Sequence, residues 1–255
     1  MVTQDAPEAR FDMWLAALEA RHLADLTPSE VARALRALSS CYVERRSKLA
    51  AGGALESAGK RAAFALFYAP VHFLIARHIV RELELAREGL RRIQDLGCGI
   101  GSAGAAWALE APGARVSGID RHPWAVAEAN WTYRQLGIDG RAVQQDVERV
   151  HPSGHRGTAI VASYTINELP GHIREGMFQR LLQATSQGAR VVIIEPIARR
   201  MSPWWTVWEM AFIAAGGRAD EWRIPDALPA RQRQLAQAAG LNPQELTARS
   251  LVAGQ

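Results

Sequence analysis

The first ninety residues carry apolar positions with the period of an α-helix. One helix face is marked by four residues at i, i+3, i+4 and i+7 spacing: Phe11, Trp14, Leu15 and Leu18. Thr27-Pro28-Ser29-Glu30 predicts a second helix start, because it combines a capping box with proline at the first helical position. A third helical stretch is expected over about 56–87, with a kink or restart at Pro70.

From about residue 89 the pattern changes to short β-like runs separated by helical segments. The predicted strands are 92–96, 116–120, 141–145, 159–164, 191–195 and a closing strand at 246–252. The predicted helices among them are 103–110, 123–136, 173–185 and 230–239. Such alternation with short connections is typical of βαβ units and a parallel sheet. We therefore expect an α-helical extension over 1–88 and a Rossmann-like α/β domain over 89–255.

The segment Asp95-Leu96-Gly97-Cys98-Gly99-Ile100-Gly101 joins the first predicted strand to the helix after it. Glycines at such a turn let the backbone bend tightly, and the helix N-terminus offers free amide groups to a ligand. The turn suits either the pyrophosphate of a dinucleotide or the amino-acid end of S-adenosylmethionine (SAM). Gly99-x-Gly101-x-x-Gly104 also matches the dinucleotide pattern, so the glycines alone do not choose between these ligands.

Three features favour SAM over NAD. Asp95 stands two residues before Gly97, where a carboxylate would repel a pyrophosphate. Asp146 closes the third predicted strand, where class I methyltransferases, which this segment resembles, commonly carry an acidic residue that contacts the adenine amino group. The chain of 255 residues also lacks room for the second, substrate-binding domain that most dehydrogenases need.

The pattern D-x-G-x-G-x-G resembles motif I of class I SAM-dependent methyltransferases. This resemblance implies that Asp95 meets the methionine ammonium group, directly or through water, and that Asp146 contacts adenine. Asp120 follows at the distance expected of a ribose ligand. The predicted cofactor-binding residues are Asp95, Gly97, Cys98, Gly99, Gly101, Asp120, Arg121, Asp146, Val147 and Tyr164. The alternative is that Asp120 caps a helix and Asp146 is a loop carboxylate.

The fourth predicted strand leads into Asn167-Glu168-Leu169-Pro170. The carboxyl end of this strand is expected to face the cofactor's methyl group, because ligands bind at that edge of open α/β sheets. The tetrapeptide matches only in part the Asn/Asp-Pro-Pro-aromatic motif of amino-methyltransferases. Asn167 and Glu168 are the candidate catalytic residues, and the alternative is that they cap the next helix.

A second resemblance concerns the mitochondrial small-ribosomal-subunit methyltransferase-like family and its bacterial relatives. It rests on Tyr68-Ala69-Pro70, Asn167-Glu168-Leu169-Pro170 and Glu195-Pro196, while the downstream cysteine cluster of that family is absent. The resemblance implies an RNA acceptor in or near the small ribosomal subunit. Two alternatives are a small-molecule methyltransferase with a helical lid, and a SAM-binding assembly factor with little catalysis.

Four aromatic or histidine side chains are candidates for substrate contact. Tyr68 and His72 lie on the helical extension, which is expected to cover the pocket in the manner of a lid. Trp204 and Trp205 follow the fifth strand, where an aromatic cluster could stack a flat substrate. The alternative for all four is ordinary packing.

Composition adds constraints on partners and location. The formal net charge of +4 permits an RNA partner without requiring one. Two cysteines cannot form a zinc or iron–sulfur site alone, so we expect no metal and a reducing cytoplasm. The longest apolar stretch, 62–76, is shorter than a bilayer span and interrupted by polar residues, which favours a buried helix pair and no membrane. The sequence does not indicate an oligomeric state.

Overall fold

The computed structural model describes residues 6–44, 55–198 and 202–254. The chain divides into two compact units, one formed by Met1–Leu74 with Pro225–Leu246 and the other by Ile75–Ile224 with Thr247–Gln255. The segment boundary predicted after residue 88 stays a prediction.

The first unit is helical, and its core follows from the predicted apolar stripes. Its helices are α1 (Pro7–His22), α2 (Pro28–Glu44), the first part of α3 (Ala58–Glu82) and α8 (Ala230–Ala238). Phe11, Trp14 and Leu18 on α1 are buried, and the Phe11 ring stacks on Phe73 at a centroid distance of 4.7 Å. The capping box is confirmed, because the Thr27 amide donates to Glu30 Oε2 at 2.8 Å and the Glu30 amide donates to Thr27 Oγ1 at 3.3 Å.

Helix α3 continues through Pro70, so the restart considered at this proline does not occur. A π-helical turn over Phe64–Tyr68 comes just before the proline, and the Ala69 amide donates to the Phe64 carbonyl five residues back. Proline has no amide hydrogen, so Pro70 leaves the Leu66 carbonyl without its usual helical donor. The side chain of Gln232 on α8 donates to that carbonyl at 3.3 Å. The sequence pattern of α3 alone does not reveal this remote partner.

Helix α3 is also long and apolar enough to cross a membrane, the one such helix in the described ranges. It has 25 residues, and an 18-residue window reaches a mean hydropathy of 1.5. The expectation that this region is too short was therefore wrong, since the apolar stretch extends into one long helix. Because 61% of that window is buried inside the protein, α3 also meets the description of a core helix.

The second unit is built on one seven-stranded sheet. Its strands are β1 (Arg92–Leu96), β2 (Arg115–Asp120), β3 (Gly140–Gln144), β4 (Thr158–Ser163), β5 (Arg190–Glu195), β6 (Arg218–Pro225) and β7 (Glu245–Ala253). Its helices beyond α3 are α4 (Ser102–Glu110), α5 (Pro123–Gln135), α6 (Gly171–Ser186) and α7 (Trp205–Ala214). The strand order is β3-β2-β1-β4-β5-β7-β6, with β1 to β5 paired in parallel and β7 antiparallel to β5. The expected Rossmann-like α/β fold is confirmed.

Strand β6 is the closing strand that the sequence did not reveal. Its residues alternate between exposed and half-buried positions at the end of the sheet order, so they lack the continuous apolar run of a central strand. Strand β5, in contrast, is buried at every position, as the Val191-Val192-Ile193-Ile194 run predicts. Because β1 to β5 run parallel, their carboxyl ends lie at one edge of the sheet, where ligands bind in such folds.

The bond from Gln232 to the Leu66 carbonyl yields a stability prediction. Replacing Gln232 with alanine removes the buried hydrogen bond to that carbonyl, so the free energy of unfolding should fall by about 0.5–1.5 kcal/mol. Gln234→Ala, an exposed change on the same helix, is the matched control. Urea unfolding of both variants measures the difference, and equal stabilities would show that the bond contributes nothing.

Candidate active site

The turn between β1 and α4 has the backbone that its glycines predict. Gly97, Gly99 and Gly101 have φ angles of 67°, 54° and 84°, a region that L side chains rarely adopt. Gly101 is the N-cap of α4 and has no side chain of its own to cap this helix end. The turn and the helix N-terminus therefore present backbone groups toward the ligand edge of the sheet.

Gly97 is required by a neighbour as well as by its dihedral angle. A Cβ atom built on Gly97 would lie 2.5 Å from both Oγ1 and Cγ2 of Thr165. Thr165 is buried in the loop after β4, and its hydroxyl donates to the Leu96 carbonyl at 3.0 Å. This side chain, which the sequence did not single out, ties the loop after β4 to the end of β1.

Asp95 lies beneath the first turn of α4 rather than at an open surface. Its side chain is buried, and Oδ2 accepts a hydrogen bond from the Gly104 amide at 2.8 Å. The pKa of Asp95 is raised to about 7, chiefly by burial and also by the nearby charge of Asp120, while the Gly104 bond opposes the shift. The predicted contact between Asp95 and a methionine ammonium group stays a prediction.

Asp120 joins the end of β2 to the glycine turn. Its Oδ2 accepts from the Gly99 amide at 2.9 Å and its Oδ1 accepts from the His122 amide at 2.8 Å. Burial raises the pKa of Asp120, although these two amide bonds and the charges of His122 and Arg121 lower it. Each carboxylate oxygen has a further lone pair, so Asp120 keeps acceptor capacity for a ribose hydroxyl. The neighbouring Arg121 is exposed.

Asp146 and Val147 follow β3, as expected of the adenine side of the site. Asp146 is exposed, and its Oδ1 accepts from the Glu148 amide at 2.9 Å, which caps a short 3₁₀ turn over Val147–Arg149. Val147 is buried in the apolar core. Asp146 thus caps a short turn after β3, and its adenine contact stays a prediction.

The loop after β4 brings several polar groups to the end of β5. Tyr164 has a positive φ of 56°, which is unusual for a non-glycine residue, and its amide donates to the Ile194 carbonyl at 2.8 Å. Burial raises the pKa of the Tyr164 phenol, and the charge of Glu195 adds to the shift, so the phenol stays protonated at neutral pH. Glu195 is fully buried and accepts from the Asn167 amide at 2.9 Å through Oε1.

The side chain of Asn167 has a defined orientation. Its Oδ1 accepts from Ser202 Oγ at 2.6 Å and from Trp204 Nε1 at 2.9 Å. An indole nitrogen can only donate, so the atom facing Trp204 must be the carboxamide oxygen and not the nitrogen. Asn167 Nδ2 is buried without a hydrogen-bond partner in the described part of the chain. Glu168, the second candidate catalytic residue, is exposed on the same 3₁₀ turn.

The two candidate tryptophans have different surroundings. Trp204 is half-buried and donates to Asn167, while its ring contacts Trp208 at a centroid distance of 4.7 Å. Trp205 is buried in the core, and the Arg249 guanidinium covers its ring at 3.9 Å. The structure thus supports the packing alternative for Trp205, whose ring is not open to a substrate.

Tyr68 and His72 belong to the first unit. Their rings are half-buried on α3 and lie 6.1 Å apart. Desolvation lowers the pKa of His72 to about 3, so this imidazole is neutral at physiological pH. Their predicted contact with substrate stays a prediction.

Comparison with known proteins agrees with this geometry. A family model described as "Methyltransferase domain" matches residues 93–188, which begin in β1 and end just after α6. No curated protein matches the chain.

Three solved structures illustrate the shared fold. The plantazolicin methyltransferase BpumL, in complex with a monoazolic desmethylPZN analogue and SAH, has 13% identity and a TM-score of 0.51, over 94% of this chain and 100% of its own. The mitomycin 7-O-methyltransferase MmcR has 15% identity and a TM-score of 0.52, over 99% of this chain and 76% of its own. A putative O-methyltransferase from Nostoc punctiforme has 16% identity and a TM-score of 0.53, over 88% and 71%.

At such low identities the structural likeness shows a common fold. The match to the methyltransferase domain model indicates the activity. The glycine turn, the carboxylates at the ends of β1 and β2 and the strand order agree with both findings. The chain therefore contains a SAM-dependent methyltransferase domain with the class I fold, and SAM is its cofactor.

Proposed function

We propose that the protein transfers the methyl group of SAM to a small-molecule acceptor at the carboxyl ends of β4 and β5. The observation that carries this proposal is the orientation of Asn167. Its carboxamide oxygen already accepts hydrogen bonds from Ser202 and Trp204. That oxygen is therefore engaged within the protein rather than offered to the amino hydrogens of a nucleobase.

The site can promote methyl transfer by positioning alone. SAM supplies an electrophilic methyl group when it is bound, and an acceptor that is already nucleophilic needs no base. Tyr164 stays protonated and can donate a hydrogen bond, while the Glu195 carboxylate holds the Asn167 amide and so orders the loop. These residues lie together where the loop after β4 meets the end of β5.

The acceptors in related folds point the same way. BpumL was solved with a desmethylPZN analogue, and MmcR is a mitomycin 7-O-methyltransferase, so both act on compounds far smaller than ribosomal RNA. Both likenesses extend over most of this chain, including residues outside the matched domain. They support a small acceptor without identifying it.

Two alternatives remain as outcomes of one experiment. Methylation of RNA of or near the small ribosomal subunit rests on the second sequence resemblance and on the mild positive charge. A SAM-binding assembly factor with little catalysis rests on the partial Asn167–Pro170 motif. A cytoplasmic location, expected from the low cysteine content, is likewise part of the proposal.

The test incubates the protein and methyl-labelled SAM with two deproteinised fractions of cells, small metabolites and total RNA. The proposal expects label in the metabolite fraction, and Asp120→Ala serves as the control with impaired cofactor binding. Label in RNA alone would establish the RNA alternative instead. Absence of label from both fractions would contradict small-molecule methylation and favour the assembly factor.

A first prediction concerns Asp120. Replacement with alanine removes a charged acceptor from the ribose side and releases the Gly99 amide, so SAM binding should weaken by about 1.5–3 kcal/mol, roughly 10- to 150-fold. Asp139→Ala removes an exposed carboxylate of the same domain and should leave the affinity unchanged. Isothermal titration calorimetry measures both variants, and an unaltered affinity in Asp120→Ala would remove this residue from the site.

A second prediction concerns pH. The pKa of Asp95 is raised to about 7 and that of Asp120 is also raised, so acid conditions neutralise the carboxylates nearest the turn. SAM carries sulfonium and ammonium charges, which favour the ionised carboxylates. The affinity for SAM should therefore be greatest above pH 7 and decline as the pH falls from 8 to 6.

Calorimetry at several pH values measures this dependence. Asp95→Asn cannot ionise, so it should flatten the pH profile near pH 7 while the Asp120 contribution persists. A wild-type affinity that stays constant between pH 6 and 8 would contradict the role assigned to these charges.

A further inference from the structure

Tyr133 on α5 lies where three glycines of the second unit converge. A Cβ atom on Gly101 would lie 2.7 Å from the Tyr133 ring, and one on Gly140 would lie 2.8 Å from it. A Cβ on Gly118 would lie 2.7 Å from the Tyr133 hydroxyl oxygen and 2.9 Å from Cys98 Sγ. Tyr133 itself is fully buried, so its ring has no room to move away. The ring therefore fills the space that these glycines leave open.

The Tyr133 hydroxyl also faces the cofactor turn. It makes no hydrogen bond of ordinary geometry in the described ranges, but a Cβ on Gly118 would touch both its oxygen and Cys98 Sγ, so the two groups lie side by side. Cys98 Sγ donates in turn to the Gly99 carbonyl at 3.6 Å, and the Gly99 amide donates to Asp120 at 2.9 Å. A continuous series of contacts thus joins α5 to the predicted ribose ligand.

We infer that Tyr133 is a positioning residue for SAM: its ring supports Gly101, and its hydroxyl orients Asp120 through Cys98 and Gly99. Tyr133 does not need to touch the cofactor in this role. It determines where the turn lies and how the Gly99 amide meets the carboxylate. The inference rests on SAM as cofactor and is independent of the acceptor.

The chemistry of the side chain separates this role from packing. A buried hydroxyl without a strong acceptor is costly, so phenylalanine would serve as well or better if Tyr133 only filled space. If the hydroxyl positions the turn, phenylalanine should instead weaken SAM binding. Tyr133→Phe keeps the ring against Gly101 and Gly140 and removes only the contact with Cys98.

The test measures SAM affinity by calorimetry and the free energy of unfolding by urea for Tyr133→Phe. We expect at least a threefold loss of affinity with stability unchanged or increased. An affinity within twofold of the wild-type value would overturn the inference. Only SAM is used as a probe, so failure to find an acceptor would not affect the result.

A double-mutant cycle then examines the proposed route. Because the hydroxyl acts through Asp120, Tyr133→Phe should have little further effect in an Asp120→Ala background, whereas it should keep its full effect in an Asp146→Ala background. Equal effects in both backgrounds would overturn the route through Asp120. Cys98→Ala interrupts the same route from the turn, so its effect on affinity should match that of Tyr133→Phe and not add to it. This variant provides the test if Tyr133→Phe is too unstable to assay.

Discussion

The cofactor site depends on the hydrogen bond between a buried carboxylate and the first turn of the helix above it. Asp95 lies near the end of β1, just before the chain turns back into α4. Its hydrogen bond to the Gly104 amide fixes the helix against the strand. The N-terminal end of a helix favours a negative charge, which partly offsets the cost of burial. Burial nevertheless raises the pKa of this carboxyl to about 7. The predicted contact with the methionine ammonium group would bring a positive charge to it.

The surrounding turn is held from two sides. In the loop after β4, Thr165 donates a hydrogen bond to the Leu96 carbonyl. At the end of β2, Asp120 accepts a hydrogen bond from the Gly99 amide. The cofactor turn is thus joined to both strands that flank β1 in the sheet. The same loop after β4 continues to Asn167, whose amide is bound by Glu195 at the end of β5. One connected set of side-chain-to-backbone hydrogen bonds therefore orders the glycine turn and the loop after β4.

Much of the second unit could be predicted from local patterns. The glycine turn, the alternating strands and the two following carboxylates are readable because each feature depends on a few consecutive residues. Strand β6 escaped prediction because an edge strand lacks a continuous apolar run. The continuation of α3 through Pro70 was not predicted, because the donor to the Leu66 carbonyl is Gln232, which is distant in the sequence.

The candidate site shows the same division between local and remote information. Asp120 and Asn167 were identified by their place after strands, whereas the orientation of Asn167 depends on Ser202 and Trp204, which follow another strand. Trp205 was a candidate for stacking a flat substrate, with packing as the alternative, and Arg249 on β7 covers its ring. Residue types at a strand end indicate a site, while the contacts that orient them require the assembled sheet.

The convergence of Gly101, Gly118 and Gly140 on one tyrosine ring has an evolutionary consequence. These four positions share a single fixed volume, so none of them can enlarge while the ring remains. Substitutions there are expected to be inherited together, with a smaller side chain at position 133 accompanying a larger one at a facing glycine. Gly101, which also belongs to the ligand-binding signature, would then record the history of a packing partner as well.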